Sequence, residues 1–238
     1  MVDYAGFNMA VQYEGVISEH LAVRNHVGVF DVSHMGEIFI SGNEAALFLQ
    51  FITSNDINKL YPGKVQYSCL PNKKGGIVDD ILVYMFEENS FMLVVNASNI
   101  EKNVEWLNDN NSYDCKIENK SNDFSLLALQ GPESLNLLQK LTKVNLSDLE
   151  YYTFTHGEVS EINDVIISRT GYTGELGFEI WCHPNDASKV WDKVFDHGKD
   201  LGITPMGLEG LDMVRIEAGL IFYGYEFNDQ TDPFEAGI

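Results

Sequence analysis

Residues 75–84, GGIVDDILVY, place two adjacent carboxylates, Asp79 and Asp80, inside an apolar run that follows a pair of glycines. In an extended strand neighbouring side chains point to opposite faces, so only one of the two can look into a given cavity. A carboxylate held among Ile77, Val78, Ile81, Leu82 and Val83 costs stability unless it has a partner. Poised in that way it can take up a proton or favour a developing positive charge. The plainer expectation is a turn aspartate ahead of a half-buried edge strand, with one carboxylate poised and the other wet.

A second stretch, RTGYTGELGFE, spaces Gly171, Gly174 and Gly177 three apart just before Glu179. The GxGxxG and GxxxxGK[ST] spacings are absent and no helix start follows, which excludes a nucleotide-phosphate cradle. Glu179 lies between Phe178 and Ile180 in an expected strand, facing away from both. An ionised carboxylate accepts two parallel N–H bonds, which suits a fused heterocycle with a ring N–H and an amino group side by side. The alternative is a solvent-facing strand glutamate. His34, in DVSHMGE, lacks an accompanying acid and nucleophile and is expected to be structural. The three arginines, Arg24, Arg169 and Arg215, are expected to hold specific carboxylates or carbonyls rather than decorate the surface.

The elements that must position these residues follow from periodicity. Residues 14–28 carry Ile17, Leu21 and Ala22 at helical spacing, with Gly28 as a C-terminal cap. A strand with Ile38 and Ile40, then a helix over 43–53, come next. VQYSCL, GIVDDILVYMF and SFMLVVN, joined by turn-sized links, predict an antiparallel meander. Ser98 and Glu101 predict a capping box for a helix with Val104 and Leu107. Strands at YDCKIEN and FSLLALQ, a helix after Gly131-Pro132 with Leu135, Leu138 and Leu141 in one stripe, and strands near 154–160, 165–168 and GFEIWC follow. A helix over 186–198 buries Val190, Val194 and Trp191, and a last helix opened by Pro205 carries Arg215 beside its apolar seam. The chain then ends at DPFEAGI without a capped element.

With 238 residues and 45% hydrophobic content, the chain can build one large or two intertwined cores. Cys69, Cys115 and Cys182 form no CxxC pair, which argues against a disulfide framework and a metal site. The net charge of −21 opposes binding to nucleic acid and anionic membranes. No apolar run of membrane-spanning length and no signal segment occurs, so the expected location is cytoplasmic.

FDVSHMGE, GGIVDDILVY, VVNASNIEKN, LALQGP, SRTGYTGELGFE and RIEAGLIFYG, in this order, resemble the aminomethyltransferase family, the T-protein of the glycine cleavage system. The resemblance runs nearly from end to end. It implies an α+β fold of two antiparallel-sheet units with flanking helices. One unit comprises residues 1–39 plus 124–238, and a ferredoxin-like unit, 40–123, is inserted in it. It further implies an enzyme that passes the methylene of an aminomethyl group on lipoylated H-protein to tetrahydrofolate and releases ammonia. By the motif match Asp80 lies at the reactive folate nitrogens and Glu179 grips the pterin ring, while Met35, Tyr67, Asn96 and Tyr151 line the folate pocket. The carrier would dock on a local patch of lysines.

Two departures stand out. The family's GLGARD reads GLEGLD here, with Leu211 at the arginine, which suits a paralogue transferring a methyl or methylene group from a small methylated amine or sulfonium donor. Asn103 stands where the family commonly has aspartate, which can be read as a change on the helix surface. Relatives also continue into a small C-terminal barrel, so the chain is expected to be a fragment that exposes the apolar surface the barrel covers. A non-catalytic folate-binding accessory protein is disfavoured, because the late KGC-x-x-GQE motif of that branch is missing from DPFEAGI.

Overall fold

A computed structural model describes all 238 residues, which fall into two compact units. The first comprises Met1–His34 and Asn122–Leu220. Its six-stranded sheet runs in the order Phe154–Val159, Ile162–Ser168, Gly177–Cys182, Ser125–Gln130, Val27–Asp31, Ile203–Pro205. All pairs are antiparallel except the last, where Ile203–Pro205 lies parallel to Val27–Asp31. One face, with Val29, Leu127, Leu129, Ile167, Phe178 and Ile180, packs on Val190 and Val194 of the helix Pro184–Gly198. The other buries Phe30 and Ala128 against Val23, Met206 and Val214. Pro205, expected to open the last helix, instead ends an edge strand, where a missing N–H is tolerated.

The first helix, Val16–Asn25, presents a different face from the one its apolar spacing predicts. Ile17 and Leu21 are 71% and 48% exposed, whereas Glu19 is fully buried. Its Oε1 accepts the backbone N–H groups of Tyr13, Glu14 and Gly15 at 2.6, 2.9 and 3.1 Å, and its Oε2 accepts that of Gly207 at 2.8 Å. Gly15 and Gly207 are the N-caps of Val16–Asn25 and Leu208–Glu217. One carboxylate thus satisfies orphan donors at two helix starts, where the helix dipoles favour negative charge. Gly28 is no cap but a strand residue, where a Cβ would meet Val23 and Met206.

The second unit comprises Met35–Ser121 and Ile221–Ile238. Its antiparallel sheet runs Val65–Pro71, Ile77–Glu87, Ser90–Val95, Gly36–Ser41, Lys116–Asn119. Helices Ala45–Ile52 and Ile100–Asp109 cover one face, where Phe48, Leu49 and Leu107 pack with Ile38, Ile40, Ile81, Val83 and Leu93. Ile77–Glu87 is therefore an interior strand paired on both sides, not an edge.

The expected division placed residues 221–238 in the first unit; in the structure they group with the second. The cause is local. The Ile77 N–H donates to the carbonyls of Asn228 and Thr231, Asn72 Nδ2 donates to Asp229 O, and Phe227 packs on Cys69 and Ile77. The approach is so close that a Cβ on Gly76 would fall 1.8 Å from Asp229 O. The segment closes with the helix Pro233–Ala236, capped by an Asp232–Glu235 capping box and by Gly237 at φ 77°, where an uncapped end was expected. No helix is long and apolar enough to cross a membrane.

If Glu19 rather than the apolar pair fixes the first helix, Glu19→Ala lowers the unfolding free energy by about 2 kcal/mol or more, since it strands buried donors. Ile17→Ser changes it by no more than about 0.5 kcal/mol. Urea unfolding midpoints of the two variants test this ordering.

Candidate active site

Strand register in the second unit gathers four of the six anticipated site residues. Ile81 pairs with Val95 and Val95 with Gly36, so Asp80, within its strand, lies one register step from Asn96 and Met35, which sit just beyond the ends of the two neighbouring strands. Tyr67 pairs with Leu82, two residues along from Asp80 on the same face. Its hydroxyl donates to Asp80 Oδ2 at 3.0 Å, and Asn96 Nδ2 donates to Asp80 Oδ1 at 2.8 Å. Each carboxylate oxygen thus has one donor and further lone pairs to offer. Burial pushes Asp80 up to about 6, the charge of Asp79 adds to this, and the Asn96 and Tyr67 bonds offset part of it. A group at that value changes charge near neutral pH, as a proton acceptor must.

Asp79, on the opposite face, has no exposed surface. Its Oδ1 accepts from Nδ2 of Asn96 at 2.8 Å and of Asn99 at 2.7 Å, and its Oδ2 accepts from Nδ2 of Asn103 at 2.5 Å and from the Asn96 backbone N–H at 3.3 Å. Burial raises its pKa and the three amides oppose that rise. Neither aspartate is the wet turn residue of the plainer expectation. Two further corrections follow. Asn103 is fully buried rather than a surface residue. Asn99, not Ser98, occupies the N-cap of Ile100–Asp109, and makes no side-chain cap bond because its amide is turned to Asp79. Asparagines at 96, 99 and 103, spaced three and four apart as on one helix face, were the signal available in the sequence.

In the first unit, Glu179 pairs with Ser168 and Ala128 in the sheet and is half-buried. The Thr170 hydroxyl donates to its Oε2. Burial raises Glu179 to about 6, with the Thr170 bond working against it. Tyr151 lies near enough for the Glu179 charge to add to the burial that raises its phenol, and its ring stands edge-on to Tyr152 at 4.7 Å. Tyr151 is 61% exposed, an open aromatic face beside the carboxylate.

The glycine-rich stretch has a packing explanation. A Cβ on Gly171 or Gly177 would fall 2.0 or 2.3 Å from the Gln130 amide. That side chain, fully buried, donates to Thr170 O at 3.1 Å and accepts from the Thr173 hydroxyl at 2.8 Å. Gln130 therefore holds the loop that carries Thr170 to Glu179, and Arg24 clamps its far side through Thr173 O, Glu175 and Glu217. Arg169 bonds Leu149 O, and Arg215, nearly buried, bonds Asp212 and Leu220 O. His34 is buried against the rings of Tyr4 and Phe7, and burial lowers it to about 4. Leu211 joins the apolar cluster of Val23, Phe30 and Met206 and lines a cavity of about 150 Å³. No group of three or more His, Cys, Asp or Glu is disposed to hold a metal ion.

The protein is thus of the α+β class, with two units that each carry a half-buried carboxylate on an interior strand. The chain belongs to the GCVT N-terminal domain family, which matches residues 1–238. Aminomethyltransferases of Bacteroides fragilis and Flavobacterium psychrophilum are each 51% identical over 238 residues, all of this chain and 66% of theirs. Glycine cleavage system aminomethyltransferase T from Bartonella henselae, a crystal structure at 33% identity, has a TM-score of 0.89 over 98% of this chain and 62% of its own. Heterotetrameric sarcosine oxidase from Corynebacterium sp. U-96, at 14% identity and a TM-score of 0.59, shares the fold. The chain spans about two thirds of the length of these aminomethyltransferases.

The raised Asp80 value makes its proton stabilising in the fold. That stability is full below the ordinary value of 3.8 and is lost as pH rises through about 6. The difference in unfolding free energy between the wild type and Asp80→Asn therefore moves in favour of the wild type as pH falls through 6, and levels off below 3.8. Denaturant titrations of both proteins at stepped pH check the sign.

Proposed function

We propose that the chain is the folate-binding part of an aminomethyltransferase that moves the methylene of aminomethyl-lipoyl H-protein to tetrahydrofolate, with release of ammonia. The observation that carries this is Asp80: a half-buried carboxylate with pKa near 6, held by Tyr67 and Asn96, in a chain half identical to aminomethyltransferases. Tetrahydrofolate supplies the attacking amine. The methylene's bond to sulfur breaks, the sulfur leaving as the lipoyl thiol; one folate nitrogen bonds to the methylene and a second displaces its amino group as ammonia, while Asp80, ionised and poor in water, favours the positive charge that develops on the methylene and relays the proton released by the attacking nitrogen. Glu179, with Oε2 held by Thr170, offers Oε1 and the remaining lone pair of Oε2 to a ring N–H and an amino group of the pterin. Tyr151 and Met35 supply apolar surface for the planar middle of the ligand. Lipoylated H-protein is the transient partner, docking on a local group of lysines within a chain of net charge −21.

Calorimetric titration with tetrahydrofolate, together with transfer assays from aminomethylated H-protein, tests the assignment. Glu179→Ala weakens binding by about 1 to 3 kcal/mol, the range for stranding a hydrogen-bonded partner. Asp80→Asn leaves binding largely intact and lowers the rate of transfer. An unchanged rate in that isosteric variant removes the role given to Asp80.

A further inference from the structure

Asn96 follows directly on the strand Ser90–Val95, and its side chain meets both aspartates. Nδ2 carries two hydrogens, and both are engaged, one by Asp79 Oδ1 at 2.8 Å and one by Asp80 Oδ1 at 2.8 Å. An amide can in principle be turned over, exchanging its nitrogen and oxygen. Here two carboxylates on the same side settle the choice, because a carbonyl oxygen facing them would meet only acceptors. Asn96 Oδ1 is therefore turned away from the pair and takes no part in the hydrogen bonds that Asn96 makes.

Asp79 is suited to enforce this. Its carboxylate cannot swing to follow Asn96, because Asn99, Asn103 and the Asn96 backbone N–H hold its two oxygens from different directions in a site with no exposed surface. Asp80 is held from the side chain by Tyr67 and Asn96 alone.

We propose that Asp79 is a positioning residue that locks the orientation of the Asn96 amide, so that Asn96 keeps an N–H on Asp80 Oδ1 and the Asp80 carboxylate is held with its remaining lone pairs uncommitted. A carboxylate held in this way favours a ligand group that brings an N–H donor or positive charge. The identity of the ligand rests on the folate reading above; the locked amide does not.

Two measurements on the 238-residue chain separate these claims. The first needs no ligand: side-chain amide NMR of the wild type shows both Asn96 Nδ2 hydrogens protected from solvent exchange, and Asp79→Asn loses that protection. Freely exchanging hydrogens in the wild type overturn the proposal even if the variant does not fold, and so does retained protection in a folded variant. The second compares tetrahydrofolate binding to Asp79→Asn and Asn103→Ala, both of which weaken the buried cluster. Asp79→Asn raises Kd about tenfold, the worth of one hydrogen bond, whereas Asn103→Ala changes it less than about twofold. Equal losses in the two variants reduce Asp79 to a structural role. A wild type that does not bind tetrahydrofolate ends the folate reading and leaves the amide measurement to decide the lock.

Discussion

A carboxylate with no access to water has to be held by donors, and in this chain Asp79 draws them from a whole strand-to-helix segment. The Asn96 backbone, the turn Ala97–Asn99 and the helix Ile100–Asp109 all contribute a group to it. An unpaired buried charge of this kind costs several kcal/mol, so the helix start is fixed by the need to satisfy it rather than by its own cap. Asn99 sits at the N-cap and gives its side chain away. The position of Asn96, and with it the surroundings of Asp80, follows from the same requirement.

Alternation along Ile77–Glu87 then gives two adjacent carboxylates different work. Asp79 faces the side covered by Ile100–Asp109, where its lone pairs are taken up, while Asp80 faces the other side with one donor on each oxygen. Glu179 in the first unit has the same economy: one oxygen held by Thr170, the other open. Burial is the leading cause of the rise in both Asp80 and Glu179, so each is a group whose charge responds to what binds near it. The supporting residues are uncharged amides and hydroxyls, Asn96, Gln130 and Thr170, which fix geometry without cancelling the charge.

The parts of this that were legible in the sequence are those governed by local rules. Period-two alternation separated Asp79 from Asp80, turn-sized links gave the meander, and the scarcity of arginine marked Arg24 and Arg215 as residues with specific partners. What escaped is governed by contacts between distant segments. Ile17 and Leu21 have the spacing of a buried face, but Gly207, 188 residues after Glu19, reverses the helix's orientation by supplying a donor to Glu19. The strand Ile203–Pro205 is too short to show a period, and exists because Val27–Asp31 lies beside it. Gly171 and Gly177 were visible as glycines, but their reason, the Gln130 amide, lies some forty residues earlier in another strand. The segment 221–238 is placed by the turn at Asn72 and Gly76, a distant contact, whereas its closing helix carries a local signature, Asp232, Pro233, Glu235 and Gly237, that the expectation of an uncapped end overlooked.

Protein donors close off the Asp79 carboxylate, whereas Asp80 and Glu179 keep lone pairs uncommitted. Carboxyl carbon NMR of these three side chains, followed against pH with and without tetrahydrofolate, tests it directly. Asp80 and Glu179 should each titrate near pH 6 in the free chain, and both resonances should move when the ligand is added, while that of Asp79 stays where it is. A ligand that leaves Asp80 and Glu179 unmoved, or that shifts Asp79 most, contradicts this division of roles.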